Sequence, residues 1–416
     1  MRLRSARAAV VVASLALAPA ASAFESVDAM VWPSYGAFAA YPGEPLGPWG
    51  LRAYAGVMYD DNVLRVDESI FTRRSDTISR LGIGGSYGAR VYGRQSVVLE
   101  GYGEYRDYDR FNSLDHWAYA TRADWLWEFT NELSGTVGWR RAERLADLGE
   151  TGVAEREIVT GDRFDITGVW AFGAQWRAPF GIGWLHTERD GPRSDEPTNA
   201  WAARGGVEHV SGLGNTIGLE VRYGEGDAAV NDVVVGIFPE NRYQQTDVAA
   251  TIAYRVTADL RIRGRLGYTT RTYTDLPVSD FEGTTGRGSI EWRPGVKTLL
   301  LLEAYRTVDP IIDVQAAHVD RRGAIVGLSW APTIKLVFGA RFTHERRIYE
   351  GTTGEILLGT PLRDETLRFI SFTAGWEFVR HWQLSGAIDY GDRESNILGG
   401  NYDYQAYMIN LRYEFR

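Results

Sequence analysis

Three arginines alternate with other residues in one short stretch of the chain: Arg261, Arg263 and Arg265. Side chains two residues apart on a β-strand point to the same face, so these three would form a ladder of positive charge. Such a ladder can select anions, because rings of Arg or Lys line anion-conducting pores. It can equally be structural, with each arginine paired to an acid on a neighbouring strand. Both interpretations stay open, and both hold if the pairing is incomplete.

Residues for catalysis or metal binding are sparse. The chain has no Cys, which excludes thiolate metal sites and thiol nucleophiles, and its six His lack the spacing of zinc ligands. His116 beside Asp115, or His344 beside Glu345, could join a hydrolase site, but no residue marks the nucleophile. Asp60-Asp61-Asn62 offers oxygen ligands for Ca²⁺ without the glycine and distal glutamate of an EF-hand, so we interpret it as a solvated turn. We expect no enzyme, no cofactor and no metal.

The elements that carry these residues are strands. In the stretch from Leu260 to Tyr268, apolar residues occupy the positions between the arginines, and helical spacing does not fit. Similar alternation recurs from Leu51 to Phe415 in segments of ten or more residues, longer than most strands of soluble sheets. Short turns and long polar loops connect the segments alternately. The pattern predicts an all-β, transmembrane antiparallel β-barrel of outer-membrane type with about 18 strands (16–18).

Aromatic residues support a membrane barrel over a secreted sandwich. They crowd the strand ends on the apolar face, where amphipathic rings suit the headgroup level of a lipid bilayer. The chain ends in Tyr413-Glu414-Phe415-Arg416, which resembles the terminal aromatic signal of outer-membrane barrels with one extra residue. The predicted location is the outer membrane of a Gram-negative bacterium, with membrane lipid around the barrel. The crowded aromatic positions are Trp125, Trp127, Trp139, Trp170, Phe172, Trp184, Tyr254, Trp292, Trp330, Trp376 and Phe378.

The N-terminal residues read as a targeting segment. Three arginines fall within MRLRSAR, an apolar run follows from Ala8 to Ala18, and Ala21-Ser22-Ala23 fits a cleavage site. The formal net charge of −9 argues against nucleic acid as a partner, since such proteins usually carry a basic patch. The predicted division is a signal peptide over 1–23, an irregular periplasmic segment over 24–47 and the outer-membrane β-barrel over 48–416.

The polar face of each strand would enclose the lumen. A one-residue slip in strand register would move this charge into lipid, at about 2–4 kcal/mol for each Arg near the midplane. A barrel of 16–18 strands is wide enough for a water-filled channel. The predicted pore-lining residues are Arg122, Arg204, Arg222, Arg255, Arg261, Arg263, Arg265, Arg271, Arg341, Arg412, Glu100, Glu104, Glu220 and Tyr102.

Three segments carry a resemblance to a known family: YAGVMYDDNVLR from Tyr54 to Arg65, Arg74-Ser75-Asp76-Thr77, and Tyr105 to Asp115. Together they resemble the exopolysaccharide-biosynthesis outer-membrane barrels of EpsL type. The resemblance lies in the first 120 or so residues, and it implies passage of a secreted polysaccharide across the outer membrane. It also implies periplasmic or inner-membrane polysaccharide synthesis and export proteins as partners. It brings no catalytic motif.

The sequence therefore predicts a channel for export of a secreted exopolysaccharide through a polar, Arg-rich lumen. The alternative is a passive diffusion porin for small solutes, anionic ones among them. A third hypothesis is a non-transporting barrel with an enzymatic or adhesive surface. Loops 226–241 and 348–363 could fold inward as plugs.

Overall fold

A computed structural model describes residues 49–67, 69, 74–151, 155–191, 198–228, 241–274, 280–310, 318–350 and 362–415. Eighteen antiparallel strands form one closed sheet in which each strand pairs with its neighbours in sequence, and β1 also pairs with β18. The predicted all-β barrel of 18 strands is therefore confirmed. The strands are β1 (Trp49–Asp60), β2 (Asp76–Tyr92), β3 (Gln95–Tyr108), β4 (His116–Glu128), β5 (Leu133–Leu145), β6 (Ile158–Ala171), β7 (Trp176–Asp190), β8 (Thr198–Val210), β9 (Thr216–Ala228), β10 (Asn241–Arg255), β11 (Leu260–Tyr273), β12 (Phe281–Trp292), β13 (Thr298–Pro310), β14 (His318–Thr333), β15 (Leu336–Glu350), β16 (Asp364–Val379), β17 (Trp382–Ser395) and β18 (Tyr402–Phe415).

The two faces of the sheet differ as the alternation predicts. On β11, Leu266 is 69% exposed whereas Arg265, its neighbour in sequence, is 6% exposed. Large apolar side chains thus cover the outside of the barrel and polar ones line the inside, the reverse of a soluble globule. Exposed aromatic residues form two outer belts. One follows the short turns (Trp49, Phe129, Trp170, Trp176, Tyr254, Trp292, Trp330, Trp376, Phe415), and the other lies toward the opposite end (Tyr59, Trp117, Trp201, Tyr223, Tyr268, Tyr390, Tyr407).

Short turns join the strands at the end of the barrel where β1 begins and β18 ends. In the turn between β2 and β3, Gly93 has φ 54°, and in the turn between β16 and β17, His381 has φ 72°. These positive φ values belong to the tight turns that reverse a hairpin within two residues. The connections at the opposite end are longer, as predicted. Two short helices lie there, a 3₁₀ helix over Asn112–Leu114 and α1 over Leu148–Thr151.

Four predicted segments fall partly or wholly outside the described residues. The signal peptide and the segment 24–47 lie outside them, and they stay predictions. Most of the two loops predicted to act as plugs also lies outside the described residues, because 229–240 and 351–361 are not described. Within the described ranges, no helix is both long and apolar enough to cross a membrane.

Candidate functional site

The inner wall contains a buried cluster of two arginines and one glutamate on β2 and β3. Arg80 and Arg106 are direct cross-strand neighbours, and Glu104 lies opposite Gly82. Arg80 Nη2 lies 2.6 Å from Glu104 Oε2, and Arg106 Nε lies 2.5 Å from Glu104 Oε1. Burying a carboxylate is costly unless it is paired and hydrogen-bonded, so the two guanidinium groups make this buried glutamate tolerable.

The same cluster occurs three times in the barrel, in the same cross-strand register. Glu220 lies 3.1 Å from Arg222 and 3.7 Å from Arg204, while Glu345 lies 3.0 Å from Arg321 and 2.7 Å from Arg347. The clusters are separated by six strands, one third of the eighteen, and each carries a net charge of +1. The second comprises Arg204, Gly206, Glu220 and Arg222 on β8 and β9, and the third comprises Arg321, Gly323, Glu345 and Arg347 on β14 and β15.

Glycine at the centre of the first and third clusters makes room for a side chain from the next strand. Tyr54 on β1 crosses Gly82, where its ring fills the place of a Cβ, and donates its hydroxyl hydrogen bond to Glu104. Tyr305 on β13 crosses Gly323 in the same way and donates to Glu345 Oε2 over 2.5 Å. Covering a strand glycine with an aromatic ring restores the packing that glycine lacks. Two of the three Arg–Glu clusters are therefore Tyr–Gly–Glu bridges across three strands.

The three arginines of the predicted ladder on β11 have different surroundings. Arg265 is buried, and its Nε lies 3.3 Å from Glu220 Oε1 across β10. Arg261 and Arg263 have no carboxylate within 4 Å among the described residues, and Arg263 is exposed to the lumen. The structural interpretation therefore holds for Arg265 alone, and its partner lies two strands away instead of on a neighbouring one.

Two further predicted arginines resemble Arg263. Arg255 on β10 and Arg341 on β15 are exposed, and no carboxylate lies within 4 Å of either in the part of the chain that the structure describes. Arg255 and Arg261 are direct cross-strand neighbours close to a short turn. We call Arg255, Arg261, Arg263 and Arg341 the open arginines. They are accessible cations on a wall whose other charges are largely paired.

Other predicted pore-lining residues form ion pairs or packing contacts with neighbouring residues. Arg122 pairs with Asp124 and lies 3.9 Å from Glu100, and Arg412 lies 2.8 Å from Glu414. These pairs balance charge locally. Tyr102 packs against the alanine pair of β4 and β5, Ala120 and Ala142.

Arg271 has a role that the sequence did not reveal. Strands β12 and β13 pair only between Gly286↔Arg306 and Trp292↔Leu300, so their outer ends separate. Arg271 Nη2 donates to the carbonyl oxygen of Val308 on β13 over 2.9 Å, and its Nε donates to Gln245 Oε1 over 2.9 Å. The side chain thus satisfies a backbone acceptor beyond the end of the β12–β13 ladder. Arg271 is one of the predicted pore-lining residues, and the structure places it in the wall with 2% exposure.

The three segments that carry the family resemblance meet at the outer mouth of the barrel. Asp76 accepts hydrogen bonds from the backbone N–H groups of Arg110 and Phe111 at 3.0 Å each. A small apolar core forms beside this contact, and it includes α1, whose loop also reaches β17 through Arg393. Its buried residues are Val63, Leu64, Ile78, Tyr108, Leu114 and Leu148.

The Asp60-Asp61-Asn62 turn is part of this assembly, and our prediction of a solvated turn was wrong. Asn62 is 0% exposed, and its Nδ2 donates to the carbonyl oxygens of Val66 and Asp403 over 2.9 and 2.8 Å. Asp60 is bound by Arg65, whose Nη2 lies 2.7 Å away. The turn therefore anchors the loop after β1 to β18. Within the described residues, no group of three or more His, Asp or Glu side chains could hold a metal ion.

In both histidine–carboxylate pairs considered for catalysis, the two side chains have different surroundings. His116 Nδ1 lies 2.7 Å from the carbonyl oxygen of Leu114, while Asp115 accepts the backbone N–H of Tyr108. His344 and Glu345 are adjacent on a strand, so they face opposite sides of the sheet.

Comparison with known families agrees with this architecture. Residues 247–415 match the family model described as "Putative beta-barrel porin 2". The chain is an outer-membrane β-barrel. Its location is the outer membrane of a Gram-negative bacterium, as predicted. The matched stretch contains the third Arg–Glu cluster and the open arginines, but it does not include the segments that resemble the EpsL-type barrels.

Solved structures of outer-membrane proteins are similar to this chain at very low sequence identity. The outer membrane protein opdK from Pseudomonas aeruginosa is 11% identical, with a TM-score of 0.48 over 88% of this chain and 99% of that one. The siderophore receptor PirA from Pseudomonas aeruginosa is 9% identical, with a TM-score of 0.44 over 90% of this chain and 81% of that one. No curated protein matches the chain.

Proposed function

We propose that this barrel is an outer-membrane channel for export of a secreted exopolysaccharide. The observation that carries the proposal is the outer mouth, where the segments around Asn62, Asp76 and Leu114 pack into one unit. The resemblance to the EpsL-type barrels rests on these same segments, which are separate in the sequence. The packing of these segments against one another supports the proposal that the mouth is built as in the EpsL-type barrels.

The chemistry of the inner wall suits a sugar polymer. Conduction requires binding that is repeated and weak enough to release the solute. Partly exposed polar side chains of the inner wall, such as Tyr102, Arg106 and Arg122, offer hydrogen-bonding groups to sugar hydroxyls. Because carboxylates neutralise most of the charge, no single position on the described wall would hold a polymer tightly.

Export needs energy and direction from other proteins, because the sequence contains no nucleotide-binding motif. We propose that periplasmic or inner-membrane polysaccharide synthesis and export proteins deliver the polymer to the end of the barrel with the short turns.

Deletion and reconstitution test this function. Removing the gene from the native bacterium should reduce extracellular polysaccharide, with polymer retained in the periplasm, and expression of the wild-type barrel should restore export. In planar bilayers, polymer purified from culture medium should cause transient current blocks. Unchanged extracellular polymer together with an absence of blocks contradicts export.

The open arginines favour the alternative, a passive diffusion porin for small anionic solutes. Accessible cations without carboxylate partners raise the local concentration of anions in a pore. This function predicts anion preference in bilayers and uptake of small organic acids into vesicles, with extracellular polysaccharide unaffected by deletion.

A further inference from the structure

Three arginines form a row on the outside of the barrel. Arg306 on β13 lies directly opposite Arg322 on β14, which lies directly opposite Arg346 on β15. They point outward, on the same face as the exposed Leu302 and Val326. Like charges at directly opposed positions destabilise a sheet, so this row needs compensation.

The row lies at the outer edge of the apolar surface. On β14, Trp330 belongs to the aromatic belt near the short turns. Arg322 lies eight residues earlier on the same strand, toward the end of the barrel with the long loops. With a rise of about 3.3 Å per residue and a strand tilt of about 40°, this separation spans about 20 Å along the membrane normal. The apolar band of such barrels is about 25 Å tall. The guanidinium groups, at the ends of long side chains, therefore reach the headgroup level of the outer leaflet.

Two aspartates fix the guanidinium groups. Asp320 lies 2.7 Å from both Arg306 and Arg322, and Asp364 accepts two hydrogen bonds from Arg346, over 3.0 and 2.6 Å. The two aspartates offset two of the three positive charges, and Glu350 on the same face of β15 also lies near Arg306 and Arg322. The Nη1 groups of Arg322 and Arg346 have no hydrogen-bond partner among the described residues, and these two side chains are 48% and 53% exposed.

We propose that this arginine row binds a phosphate group of a phosphorylated glycolipid in the outer leaflet. Arginine matches phosphate oxygens through its planar set of N–H donors, and such charge-assisted bonds are strong. The aspartates hold two neighbouring guanidinium groups in fixed orientation, so little side-chain entropy is lost on binding. The site is independent of the proposed export function, because it lies on the membrane face of the wall.

Native mass spectrometry of the purified full-length barrel in detergent tests the proposal. Diphosphorylated lipid A should bind, and dephosphorylated lipid A and inorganic phosphate should bind far more weakly. The double variant R322Q/R346Q should bind diphosphorylated lipid A about tenfold more weakly or worse, because two charge-assisted bonds are removed.

The matched control is R141Q. Arg141 is also outward-facing and 40% exposed, and it pairs with Asp162 over 2.7 Å, but no arginine lies directly opposite it. R141Q should bind the glycolipid as the wild type does. The single variant R346Q gives the same readout if the double variant does not fold. Equal binding by wild type and variants, equal binding of the dephosphorylated lipid, or binding of free phosphate alone would overturn the proposal.

Discussion

Arg265 and Glu220 face each other across an intervening strand of the inner wall, with Nε and Oε1 3.3 Å apart. The contact passes over β10, where the small side chain of Ala249 lies opposite Glu220. Arg263, the next inward position on β11, has no such partner among the described residues and is exposed. Neighbouring members of one predicted ladder therefore have different environments, one structural and one accessible to solutes.

This difference predicts the ion selectivity of variants. R261S/R263S should move the reversal potential in a salt gradient toward that of a non-selective pore, because it removes accessible cations. R265S also removes a cation, but this cation is buried beside Glu220. The shift in reversal potential per removed charge should therefore be less than half of that in R261S/R263S. Planar-bilayer recordings measure both. Equal shifts per charge, or none, would contradict the division of the ladder.

Removing the carboxylate of the first Arg–Glu cluster should destabilise the barrel. E104A leaves Arg80 almost fully buried beside Arg106 without their shared anion, which costs about 3–5 kcal/mol when a buried pair is broken. Urea unfolding of the barrel reconstituted in vesicles gives the free energy of unfolding. E128A is the control, since Glu128 pairs with Arg94 at an exposed position. If E104A lowers the free energy of unfolding no more than E128A does, the Arg–Glu cluster is not buried as described.

Gly82 should not tolerate a side chain. A Cβ at this position would overlap the ring of Tyr54, so G82A should cost about 1–3 kcal/mol and break the Tyr54–Glu104 hydrogen bond. Gly103 has nothing within 4 Å of its Cβ position, so G103A should be nearly neutral. Folding yield into detergent and urea midpoints compare the two. Similar behaviour of both variants would refute the Tyr–Gly–Glu bridge.

Asn62 should control the order of the outer mouth. N62A removes both hydrogen bonds from Nδ2, which tie the buried turn to the carbonyl oxygens of Val66 and Asp403, and this should cost about 1–3 kcal/mol. Trypsin should then cleave after Arg65 faster in intact proteoliposomes. Asn396 donates to the carbonyl oxygen of Leu362 at an exposed position of the same end, so N396A should leave cleavage unchanged. Unaltered cleavage in N62A would show that the turn is not an anchor.

Much of the fold could be predicted from the sequence, because a two-residue period follows directly from strand geometry. The exposure of Leu266 beside the burial of Arg265 required only the assignment of faces. The closed topology and the strand number followed from alternating short and long connections. Burial of Asn62 could not be predicted, since it depends on contacts with β18, more than 300 residues away.

The arrangement within the site was harder to predict. Arg–Glu clusters require strand register, and a sequence read one segment at a time does not show that Gly82 lies opposite Glu104. A signal was nevertheless present. The pattern Arg-x-Gly on one strand followed by Glu-x-Arg on the next occurs at Arg80, Arg204 and Arg321. The role of Arg271 depends on where the pairing of β12 with β13 ends. Hydrophobic periodicity does not indicate that position.

The most direct test of the account is conductance of the purified barrel in a planar lipid bilayer. A closed barrel with a polar, hydrated inner wall should insert and raise the current in discrete steps of uniform size, with anions favoured over cations. A barrel that is folded and inserted, as judged by protease protection in the same lipids, yet carries no measurable current would contradict the central claim that its inner wall encloses a channel.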